Sequence, residues 1–438
     1  MKQKVEWGKT IKVAHLIGIG GSGMSAIAQY FLSENVKVSG SEINDSPALK
    51  ELLKMGADIS LGQSSKSIPG NADLIVYSSA VIDYEPELLT ELKKTKIPAV
   101  SYHEALGLVS KDKKVIAVAG THGKTTTTAM IAKIMVDCGF DPTIFAGGIL
   151  KDINSNFRRG RNDWFVVEAD EYRRGFLNLS PDILVITNID ADHIGYYKDL
   201  ADIQEAFADF IRLVKKNGTI VTDTRLPNLT PVLQEARETA RDYSSIKLEK
   251  NEISFQGDHN LSNAKAALLA ACFAGVDEKM ARQSLRNFSG VKRRFDFVGK
   301  SKEGFFVYDD YAHNPQKVRA ALLGFREKHP RSKIYAIFQP HLFSRTKYFL
   351  KDFASSLCLA DEALILPIYP SREKFDPTVS SDDLAREIKN KKGKTSCFPD
   401  FNSVISYARK TAKKDDVVAT IGAGDVTNIA KFLVELIK

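Results

Sequence analysis

The sequence lacks the segments that would place the chain in a membrane or outside the cell. No apolar run approaches the ~20 residues that a membrane-spanning helix needs, and the longest candidate, residues 266–275, is far too short. The first residues, MKQKVEW, lack the apolar core of a signal peptide. We therefore expect a cytoplasmic protein with no membrane span.

Cysteine is also scarce, and no C-x-x-C spacing occurs. This pattern excludes a disulfide framework and a zinc knuckle. The four cysteines are Cys138, Cys272, Cys358 and Cys397. We expect them to be buried as small hydrophobic residues.

Charge of one sign is not in large excess, because 62 Lys and Arg residues are offset by 54 Asp and Glu residues, a net charge of +8. The densest basic runs, residues 389–394 and 409–414, contain no aromatic side chains on which bases would stack. We expect these runs to form solvated helix ends and loops. An anionic small-molecule substrate explains the mild excess at least as well as nucleic acid does, and we expect no nucleic-acid partner.

Short β-branched runs alternate with amphipathic stretches from end to end, which is the pattern of an α/β fold. A chain of 438 residues is long enough for about three domains. We predict three α/β domains with boundaries at residues 1–110, 111–297 and 298–438. The predicted strands are residues 13–18, 36–38, 73–77, 115–119, 164–167, 183–187, 218–222, 305–308, 334–338, 363–366 and 417–421.

The first glycine loop, GIGGSG at residues 18–23, follows a predicted strand and precedes a predicted helix at residues 24–32. Its glycines would let backbone N–H groups approach a diphosphate at the helix N-terminus. Glu42 lies about 20 positions further on, where an acidic side chain binds a ribose in dinucleotide-binding folds. Taken alone, the loop leaves open an NAD-dependent oxidoreductase and a tight turn without a ligand.

The second glycine loop, GTHGKT at residues 120–125, has glycine, lysine and threonine in the order of a phosphate-binding P-loop, with one residue fewer than the usual spacing. Lys124 would neutralise the β and γ phosphates. The Thr125 hydroxyl would bind a magnesium ion that bridges them. A glycine turn without a ligand is the alternative.

The GTHGKTTTT segment at residues 120–128 resembles the nucleotide loop of the Mur ligase superfamily, the ATP-dependent amide ligases of peptidoglycan assembly. Further motifs of that family occur in order along nearly the whole chain. They are GIGGSGMS at 18–25, SSAV at 78–81, VEADE at 167–171, TNIDADH at 187–193, HNLSN at 259–263, RRF at 293–295, DDYAH at 309–313, FQPH at 338–341, SRT at 344–346, IYPSRE at 368–373 and GAGD at 422–425. Within the family, these motifs are most similar to those of the L-alanine-adding branch.

The resemblance implies an N-terminal Rossmann-like domain that binds a UDP-sugar, a central P-loop ATPase domain and a C-terminal Rossmann-like α/β domain that binds an amino acid. It implies ATP, UDP-N-acetylmuramic acid and L-alanine as substrates and Mg²⁺ as cofactor. ATP would phosphorylate the muramic acid carboxylate, the amine of L-alanine would attack the acyl phosphate, and phosphate would leave.

The resemblance also assigns functions to individual residues of this chain. The implied metal ligands are Thr125, Glu168 and His193. The implied catalytic residues are Lys124, Glu168, His193, Arg294 and His313. The implied ATP-binding residues are Gly120, Thr121, His122, Gly123, Lys124, Thr125, Thr126, His259, Asn260, Asn263, Arg294 and Asp310. The implied UDP-sugar-binding residues are Gly18, Gly20, Gly21, Ser22, Gly23, Met24, Ser41, Glu42, Ser78 and Ser79. The implied amino-acid-binding residues are Tyr311, His313 and Arg345.

Without the resemblance, several of these residues have structural explanations. Glu168 alone would be an ordinary surface carboxylate, and residues 258–260 would cap a helix. Beside Arg294, either Arg293 or Lys292 would instead be a solvated cation. His313 at a helix start would be a cap or a packed residue, and its role as a general base requires a geometry that the sequence does not show.

Some positions depart from the family's pattern. The family often has Asp, Arg and a second His at the positions of Gly195, Leu342 and Asn314. It commonly has Asp at the position of Glu42, Arg near Tyr102, and a small or acidic pair at residues 173–174, which are both arginine here. Residues 199–214 contain no lysine, so the carbamoylated lysine of the sister ligases is not predicted. The change at Leu342 affects the expected amino-acid pocket most directly.

Two other functions remain open beside the L-alanine-adding one. The first is a recycling ligase that attaches a murein tripeptide to the same UDP-sugar, although FLNLSPD at residues 176–182 is typical of the alanine-adding type. The second is a nucleotide-binding regulator that has lost the chemistry. Because functional residues occur in all three predicted domains, we expect the outer domains to close over the central one. We also expect Lys124→Ala to remove activity without disturbing the fold, because a lysine that contacts phosphate should be solvated and not part of the core.

Overall fold

The computed structural model describes residues 11–62, 64, 67–191, 196–234, 236, 240–254, 257–371 and 373–434. The chain divides into two compact units, Met1–Glu252 with Ser262–Ser289 and Ile253–Leu261 with Gly290–Lys438. The described strands form three sheets, two of them in the first unit. Helices connect the strands of each sheet, and the predicted α/β fold with three domains is confirmed.

The first sheet has five parallel strands in the order β3-β2-β1-β4-β5. The strands are β1 (Val13–Ile17), β2 (Lys37–Glu42), β3 (Asp58–Leu61), β4 (Leu74–Tyr77) and β5 (Ala99–Ser101). The helices are α1 (Ser22–Ser33), α2 (Pro47–Lys54), α3 (Ser79–Tyr84), α4 (Pro86–Leu92) and α5 (Tyr102–Ser110). The central strand β1 buries Leu16 and Ile17 on opposite faces, as expected for a parallel strand covered on both sides. The strand order reverses at β1, which is where ligands bind in open α/β sheets.

The second sheet has seven strands in the order β12-β11-β10-β6-β9-β7-β8. The strands are β6 (Lys114–Ala119), β7 (Thr143–Leu150), β8 (Ser155–Arg158), β9 (Trp164–Glu168), β10 (Ile183–Ile186), β11 (Thr219–Thr222) and β12 (Ala240–Asp242). The helices are α6 (Lys124–Asp137), α7 (Leu200–Arg212), α8 (Thr230–Leu233), α9 (Asp258–Phe273) and α10 (Glu278–Arg286). The wholly apolar residues 115–119 of β6 are buried between the parallel strands β9 and β10. The second glycine loop therefore leaves the sheet near its centre.

Strands β7 and β8 form an antiparallel hairpin that the sequence analysis did not predict. The hairpin packs on α1, the helix that follows the first glycine loop. The Tyr30 ring of α1 lies 5.8 Å from the ring of Phe145 and 6.2 Å from the ring of Phe157, measured between centroids. The first two sheets thus share an aromatic contact through this hairpin.

The third sheet, in the second unit, has six strands in the order β13-β14-β18-β15-β16-β17. The strands are β13 (Asp296–Lys300), β14 (Phe306–Asp310), β15 (Ile334–Phe338), β16 (Glu362–Ile365), β17 (Thr395–Cys397) and β18 (Val417–Ile421). The helices are α11 (Pro315–Lys328), α12 (Phe343–Tyr348), α13 (Leu350–Leu357), α14 (Ser381–Asn390), α15 (Phe401–Thr411) and α16 (Thr427–Val434). Strand β13 is antiparallel to β14, and the other pairs are parallel. Edge strands β13 and β17 were not predicted, because neither contains a continuous apolar run.

The expectation that the cysteines are buried is wrong. Three are half-buried and Cys397 is exposed, and all four thiols are free. Each lies at or near the end of an element: Cys138 and Cys358 follow the last residues of α6 and α13, Cys272 lies in the last turn of α9, and Cys397 ends an edge strand. Element ends face solvent on one side, so a small apolar residue there is only partly covered.

The basic runs lie where they were predicted, at the ends of α14 and α15, and are largely exposed. In the described part of the chain, no helix is both long enough and apolar enough to cross a membrane.

Candidate active site

Three neighbouring strands of the first sheet end at the residues predicted to bind a UDP-sugar. The glycine loop follows β1, Ser41 and Glu42 end β2, and Ser78 and Ser79 follow β4. Because these strands are adjacent and parallel, their ends lie along one edge of the sheet. The Gly18 N–H donates to the Ser41 carbonyl at 2.9 Å, which joins the first two segments.

The Glu42 carboxylate is hydrogen-bonded to the glycine loop itself. Its Oε2 accepts the N–H of Gly20 at 2.9 Å, and its Oε1 accepts the N–H of Ile43 at 2.8 Å. A Cβ on Gly20 would lie only 2.9 Å from Oε2, so this close approach requires glycine. Glu42 shapes the loop, and its contact with a ribose stays a prediction.

Tyr102, the first residue of α5, packs against the last glycine of the loop. A Cβ on Gly23 would lie 2.5 Å from Cζ and 2.8 Å from the hydroxyl oxygen of Tyr102. Burial, together with the carboxylates of Asp170 and Glu168, raises the pKa of the Tyr102 phenol. The phenol therefore stays protonated and available as a donor beside the loop, at a position where the family commonly has arginine. Met24, also predicted to contact the sugar, is buried in α1.

The second glycine loop joins β6 to α6, as predicted. Gly120 and Gly123 have φ values of 132° and 83°, in the region that favours glycine. A Cβ on Gly123 would lie 2.4 Å from the Oδ1 of Asn263, so the Asn263 amide, a predicted ATP contact, lies directly against the loop. The loop and Asn263 are brought together by the fold.

Lys124 is not solvated, and the expectation that it is solvated is wrong. Its Nζ donates to the two carboxylate oxygens of Glu171 at 2.9 and 2.6 Å and to the Gly120 carbonyl at 2.6 Å. The Glu171 side chain is 2% exposed and that of Lys124 13% exposed. Burial alone would lower the pKa of Lys124, but the carboxylates of Glu171, Asp170 and Glu168 raise it. The ammonium is held charged by a buried counterion.

Glu171 was not predicted as a site residue. It is the last letter of the VEADE motif, so the motif marked its position but not its contact with Lys124. A buried hydroxyl fixes the same segment, because Tyr197 Oη donates to the Glu171 carbonyl at 2.6 Å.

Two of the three predicted metal ligands lie side by side. The Thr125 hydroxyl donates to Glu168 Oε1 at 2.9 Å, at the end of β9, and the N–H of Gly147 donates to Oε2 at 2.7 Å. The third predicted ligand, His193, lies outside the described residues, as does Gly195. Among the described residues, no group of three His, Cys, Asp or Glu side chains has the spacing of a metal site. Threonine and glutamate oxygens are the donors that a hard cation prefers.

The segment after β10 holds the start of the second glycine loop. The Thr121 hydroxyl donates to the Asp190 carbonyl at 3.1 Å, and the N–H of His122 donates to Asn188 Oδ1 at 2.9 Å. His122 Nε2 lies 3.6 Å from an Asp190 carboxylate oxygen. Thr126 is half-buried in the first turn of α6. These contacts fix the loop from the side opposite Glu168.

His259 and Asn260 lie in the first turn of α9, where a helix start was the structural alternative. Asn260 is 4% exposed. His259 is exposed, and partial desolvation of its ring lowers its pKa. Both residues belong to the second unit and Asn263 to the first.

In the second unit, β14 ends at Asp310, and the next residues include Tyr311 and His313. Asp310 accepts the N–H groups of Phe295 at 2.7 Å and of Ala312 at 2.8 Å, and burial raises its pKa. The Arg294 guanidinium lies 5.0 Å from the centre of the Tyr311 ring. The strand-to-helix junction predicted for these residues is confirmed, and the contact of Asp310 with ATP stays a prediction.

Arg293 is not a solvated cation. Its guanidinium donates to the carbonyls of Gly422 at 2.7 Å and Gly424 at 3.0 Å, and its Nε lies 3.4 Å from Asp309. The reason is that β14 and β18 are adjacent, so the GAGD loop after β18 lies beside the start of the domain.

His313 has a defined tautomer. Its Nδ1 lies 2.9 Å from the Tyr311 carbonyl and must donate to it, which leaves Nε2 as the proton-accepting nitrogen. Burial and the nearby cations Lys317 and Arg345 lower the pKa of His313 well below its usual value. The imidazole is therefore neutral near pH 7. Asn314, the other departure here, caps α11 by accepting the N–H of Lys317 at 2.9 Å.

His341 belongs to the same cluster and was not predicted as a site residue. Its Nδ1 lies 3.3 Å from the Nη1 of Arg345, its ring stacks on Tyr369 with centroids 5.7 Å apart, and the His313 ring lies 6.4 Å away. Burial lowers the pKa of His341 to about 4, and Arg345 contributes. Leu342 follows with φ of 71°, a left-handed value that is strained for a leucine. The FQPH motif was the available signal for His341.

Family models match three successive parts of the chain. Residues 13–114 match the catalytic domain of the Mur ligase family, residues 118–251 the Mur ligase middle domain, and residues 293–424 the Mur ligase glutamate ligase domain. The chain is also 38% identical to the UDP-N-acetylmuramate–L-alanine ligase of Clostridium acetobutylicum, with 96% of this chain and 97% of that protein covered. The chain belongs to the Mur ligase family. The family therefore decides against an NAD-dependent oxidoreductase, the alternative that the first glycine loop had left open.

Two solved structures extend the comparison. The UDP-N-acetylmuramate-alanine ligase of Thermotoga maritima is 27% identical and superposes with a TM-score of 0.80, covering 96% of this chain and 97% of its own. A murein peptide ligase from Psychrobacter arcticus is 25% identical, with a TM-score of 0.71 and coverage of 96% and 98%. Both have the architecture of this Mur ligase chain over nearly its full length.

Proposed function

We propose that this Mur ligase joins L-alanine to UDP-N-acetylmuramic acid at the expense of ATP. The observation that carries the proposal is the cluster at the ends of β6 and β9, where a P-loop lysine and threonine meet two carboxylates. Such a cluster binds the triphosphate end of a nucleotide. The similarity to the Clostridium acetobutylicum enzyme supports L-alanine as the acceptor.

The reaction proceeds in two steps. The sugar carboxylate attacks the γ-phosphorus of ATP, so that an acyl phosphate forms and ADP leaves. The amine of L-alanine then attacks the acyl carbon, the amide bond forms, and phosphate leaves with the carboxylate oxygen that it bonded. The protein positions the groups and stabilises charge, because an unactivated carboxylate repels nucleophiles.

The first unit provides the phosphoryl-transfer residues. Lys124 exchanges its contact with Glu171 for the β and γ phosphates. Thr125 and Glu168 would hold Mg²⁺, together with His193 as the family resemblance implies. When bound, the ion neutralises phosphate charge.

The second unit provides the amino-acid site and Arg294. The Arg345 guanidinium pairs with the amino-acid carboxylate, for which its fork geometry is suited. His341 orients Arg345, and the neutral His313 accepts a proton from the attacking ammonium group at Nε2. Arg294, Asp310, His259 and Asn260 contact ATP.

The UDP-sugar binds at the edge formed by the first glycine loop and the ends of β2 and β4. Its diphosphate lies at the N-terminus of α1, where free N–H groups and the helix dipole favour an anion. We propose domain boundaries at residues 110/111 and 297/298. We also propose a cytoplasmic location, because ATP is the proposed substrate.

A recycling ligase that uses a murein tripeptide is the second candidate, because a murein peptide ligase shares the architecture of the whole chain. Phosphate release from ATP, measured with UDP-N-acetylmuramic acid and Mg²⁺, separates the candidates when L-alanine, glycine, L-serine and the tripeptide are compared as acceptors. Release with L-alanine is the expected result. Release only with the tripeptide would assign the recycling function. If none of the four acceptors causes phosphate release, the result would favour a nucleotide-binding regulator.

A further inference from the structure

Gly147 in β7 lies between the two proposed nucleotide sites, and both its backbone N–H and its backbone carbonyl are hydrogen-bonded there. Its N–H donates to Glu168 Oε2 at 2.7 Å, and its carbonyl accepts the Ser22 hydroxyl at 2.9 Å. Glu168 belongs to the ATP site, and Ser22 is the first residue of α1 in the glycine loop of the sugar site. One glycine residue thus connects the two sites.

Ser22 is itself held by the hairpin that carries Gly147. The Asn156 amide of β8 donates to the Ser22 carbonyl at 2.6 Å, and the Gln29 amide of α1 lies 3.3 Å from the Asn156 side-chain oxygen. A displacement of the loop at Ser22 is therefore transmitted to β7 and β8, because the side chain and the main chain of Ser22 are both bonded to the hairpin.

The contact of Gly147 with Glu168 is expected to persist during the reaction. The Thr125 hydroxyl, a second donor to the Glu168 carboxylate, is itself a proposed metal ligand. When Thr125 turns its oxygen toward a cation, the Gly147 N–H still fixes one carboxylate oxygen. Groups that orient a ligand in this way commonly change metal affinity by about 10- to 100-fold.

The contact with Glu168 also explains why residue 147 is glycine. A Cβ at this position would lie 2.6 Å from Oε2, 2.8 Å from Cδ and 2.8 Å from Oε1 of Glu168. The φ angle of Gly147 is not in the left-handed region, so backbone conformation does not require glycine here. A Cβ at residue 147 would instead displace the Glu168 carboxylate from its present position.

We propose that Gly147 is a positioning residue that aims the Glu168 carboxylate, and that Ser22 couples occupancy of the sugar site to it. The proposal rests on the proposed function for the identity of the two ligands. It predicts that the sugar nucleotide and the metal–ATP complex raise each other's affinity by the same factor, because linkage between two sites is reciprocal.

The test is Mn²⁺ binding, measured by electron paramagnetic resonance on the full chain with a non-hydrolysable ATP analogue, with and without UDP-N-acetylmuramic acid. We expect Gly147→Ala to weaken Mn²⁺ binding at least tenfold. In the wild-type chain, we expect the sugar nucleotide to tighten binding about fivefold or more. Ser22→Ala should remove most of that gain.

Ser155→Ala is the matched control for Ser22→Ala. Its hydroxyl also joins the hairpin to α1, at 3.4 Å from Gln29 Oε1, but it does not contact Gly147. This variant should keep the wild-type coupling. Full coupling in Ser22→Ala would overturn the role of Ser22, and unchanged Mn²⁺ binding in Gly147→Ala would overturn that of Gly147. If Gly147→Ala does not fold, the proposal stands or falls on Ser22→Ala.

The Mn²⁺ measurement also separates this proposal from the proposed function. A wild-type chain that releases no phosphate with any acceptor, but loses Mn²⁺ affinity on Gly147→Ala, would refute the ligase reaction and retain the positioning role. Phosphate release with L-alanine, combined with unchanged Mn²⁺ affinity in Gly147→Ala, would support the ligase reaction and refute the positioning role.

Discussion

The ammonium group of Lys124 contacts both carboxylate oxygens of Glu171, at 2.9 and 2.6 Å, and the carboxylate is almost completely buried. The P-loop lysine thus has a buried carboxylate as its counterion. In the proposed function Lys124 binds phosphate, so the pair should affect both the stability of the domain and the affinity for ATP.

Lys124→Ala should remove phosphate release and also destabilise the chain. Loss of a charge-stabilising group costs about 10²- to 10³-fold in kcat. It also removes one partner of a buried ion pair, which costs about 3–5 kcal/mol. Phosphate release and thermal unfolding measure the two effects.

The double variant Lys124→Met with Glu171→Gln is the control, because it removes both charges. It should recover most of the stability lost in Lys124→Ala and none of the activity. Wild-type turnover in Lys124→Ala would refute the assignment of the ATP site, and equal stability of all three proteins would refute the importance of the ion pair.

Gly23→Ala should weaken binding of the UDP-sugar, because a Cβ there would lie 2.5 Å from the Tyr102 ring and displace α5 or the loop. Overpacking of this kind costs about 1–3 kcal/mol, or about 5- to 150-fold in affinity. Isothermal titration with UDP-N-acetylmuramic acid measures it. Wild-type affinity in Gly23→Ala would contradict the role of the Tyr102 contact.

Arg345→Ala should raise the KM for L-alanine and leave the KM for ATP nearly unchanged. A lost hydrogen bond to a charged group costs about 1.5–3 kcal/mol, or roughly 10- to 100-fold in KM. Lys347→Ala on the same helix is the control, since Lys347 is largely exposed beside Asp376 and Thr378. If both variants raise the KM for L-alanine equally, Arg345 is not the carboxylate partner.

Acid should destabilise the first unit through His15. Burial lowers the pKa of His15 from 6.5 to about 4, although Asp58 opposes this, and its Nδ1 is paired with Ser39 Oγ at 2.9 Å. Above pH 6.5 the imidazole is neutral in both states. Between pH 6.5 and 4 the unfolded chain binds a proton that the folded chain does not. As the pH decreases through this range, the free energy of unfolding therefore falls by at most about 1.4 kcal/mol per pH unit.

His15→Leu should reduce this acid sensitivity, because the variant has no proton to bind. The His15 side chain is 1% exposed, and no described residue is a hydrogen-bond partner of its Nε2, so an apolar side chain is suited to the site. Thermal unfolding of both proteins from pH 4 to pH 8 tests this. Parallel pH profiles would show that His15 is not the sensitive group.

Much of the fold was predictable because buried parallel strands have continuous apolar runs. Residues 115–119, 334–338 and 417–421 were all predicted as strands, and each lies in the interior of a sheet. Edge strands such as β8 and β13 were missed because their short, partly exposed sequences lack such a run. Strand β7 was missed although its first four residues are buried.

The sequence by itself determined the α/β architecture, the two glycine loops and the family, because backbone geometry and phosphate binding require particular residues at fixed local spacing. Only the tertiary structure decided the partners of those residues. The Lys124–Glu171 ion pair, the packing of Tyr102 against Gly23 and the contacts of Gly147 with Ser22 and Glu168 join segments that are not neighbours in the sequence. Burial and charge pairing depend on that three-dimensional proximity, which local sequence spacing does not specify.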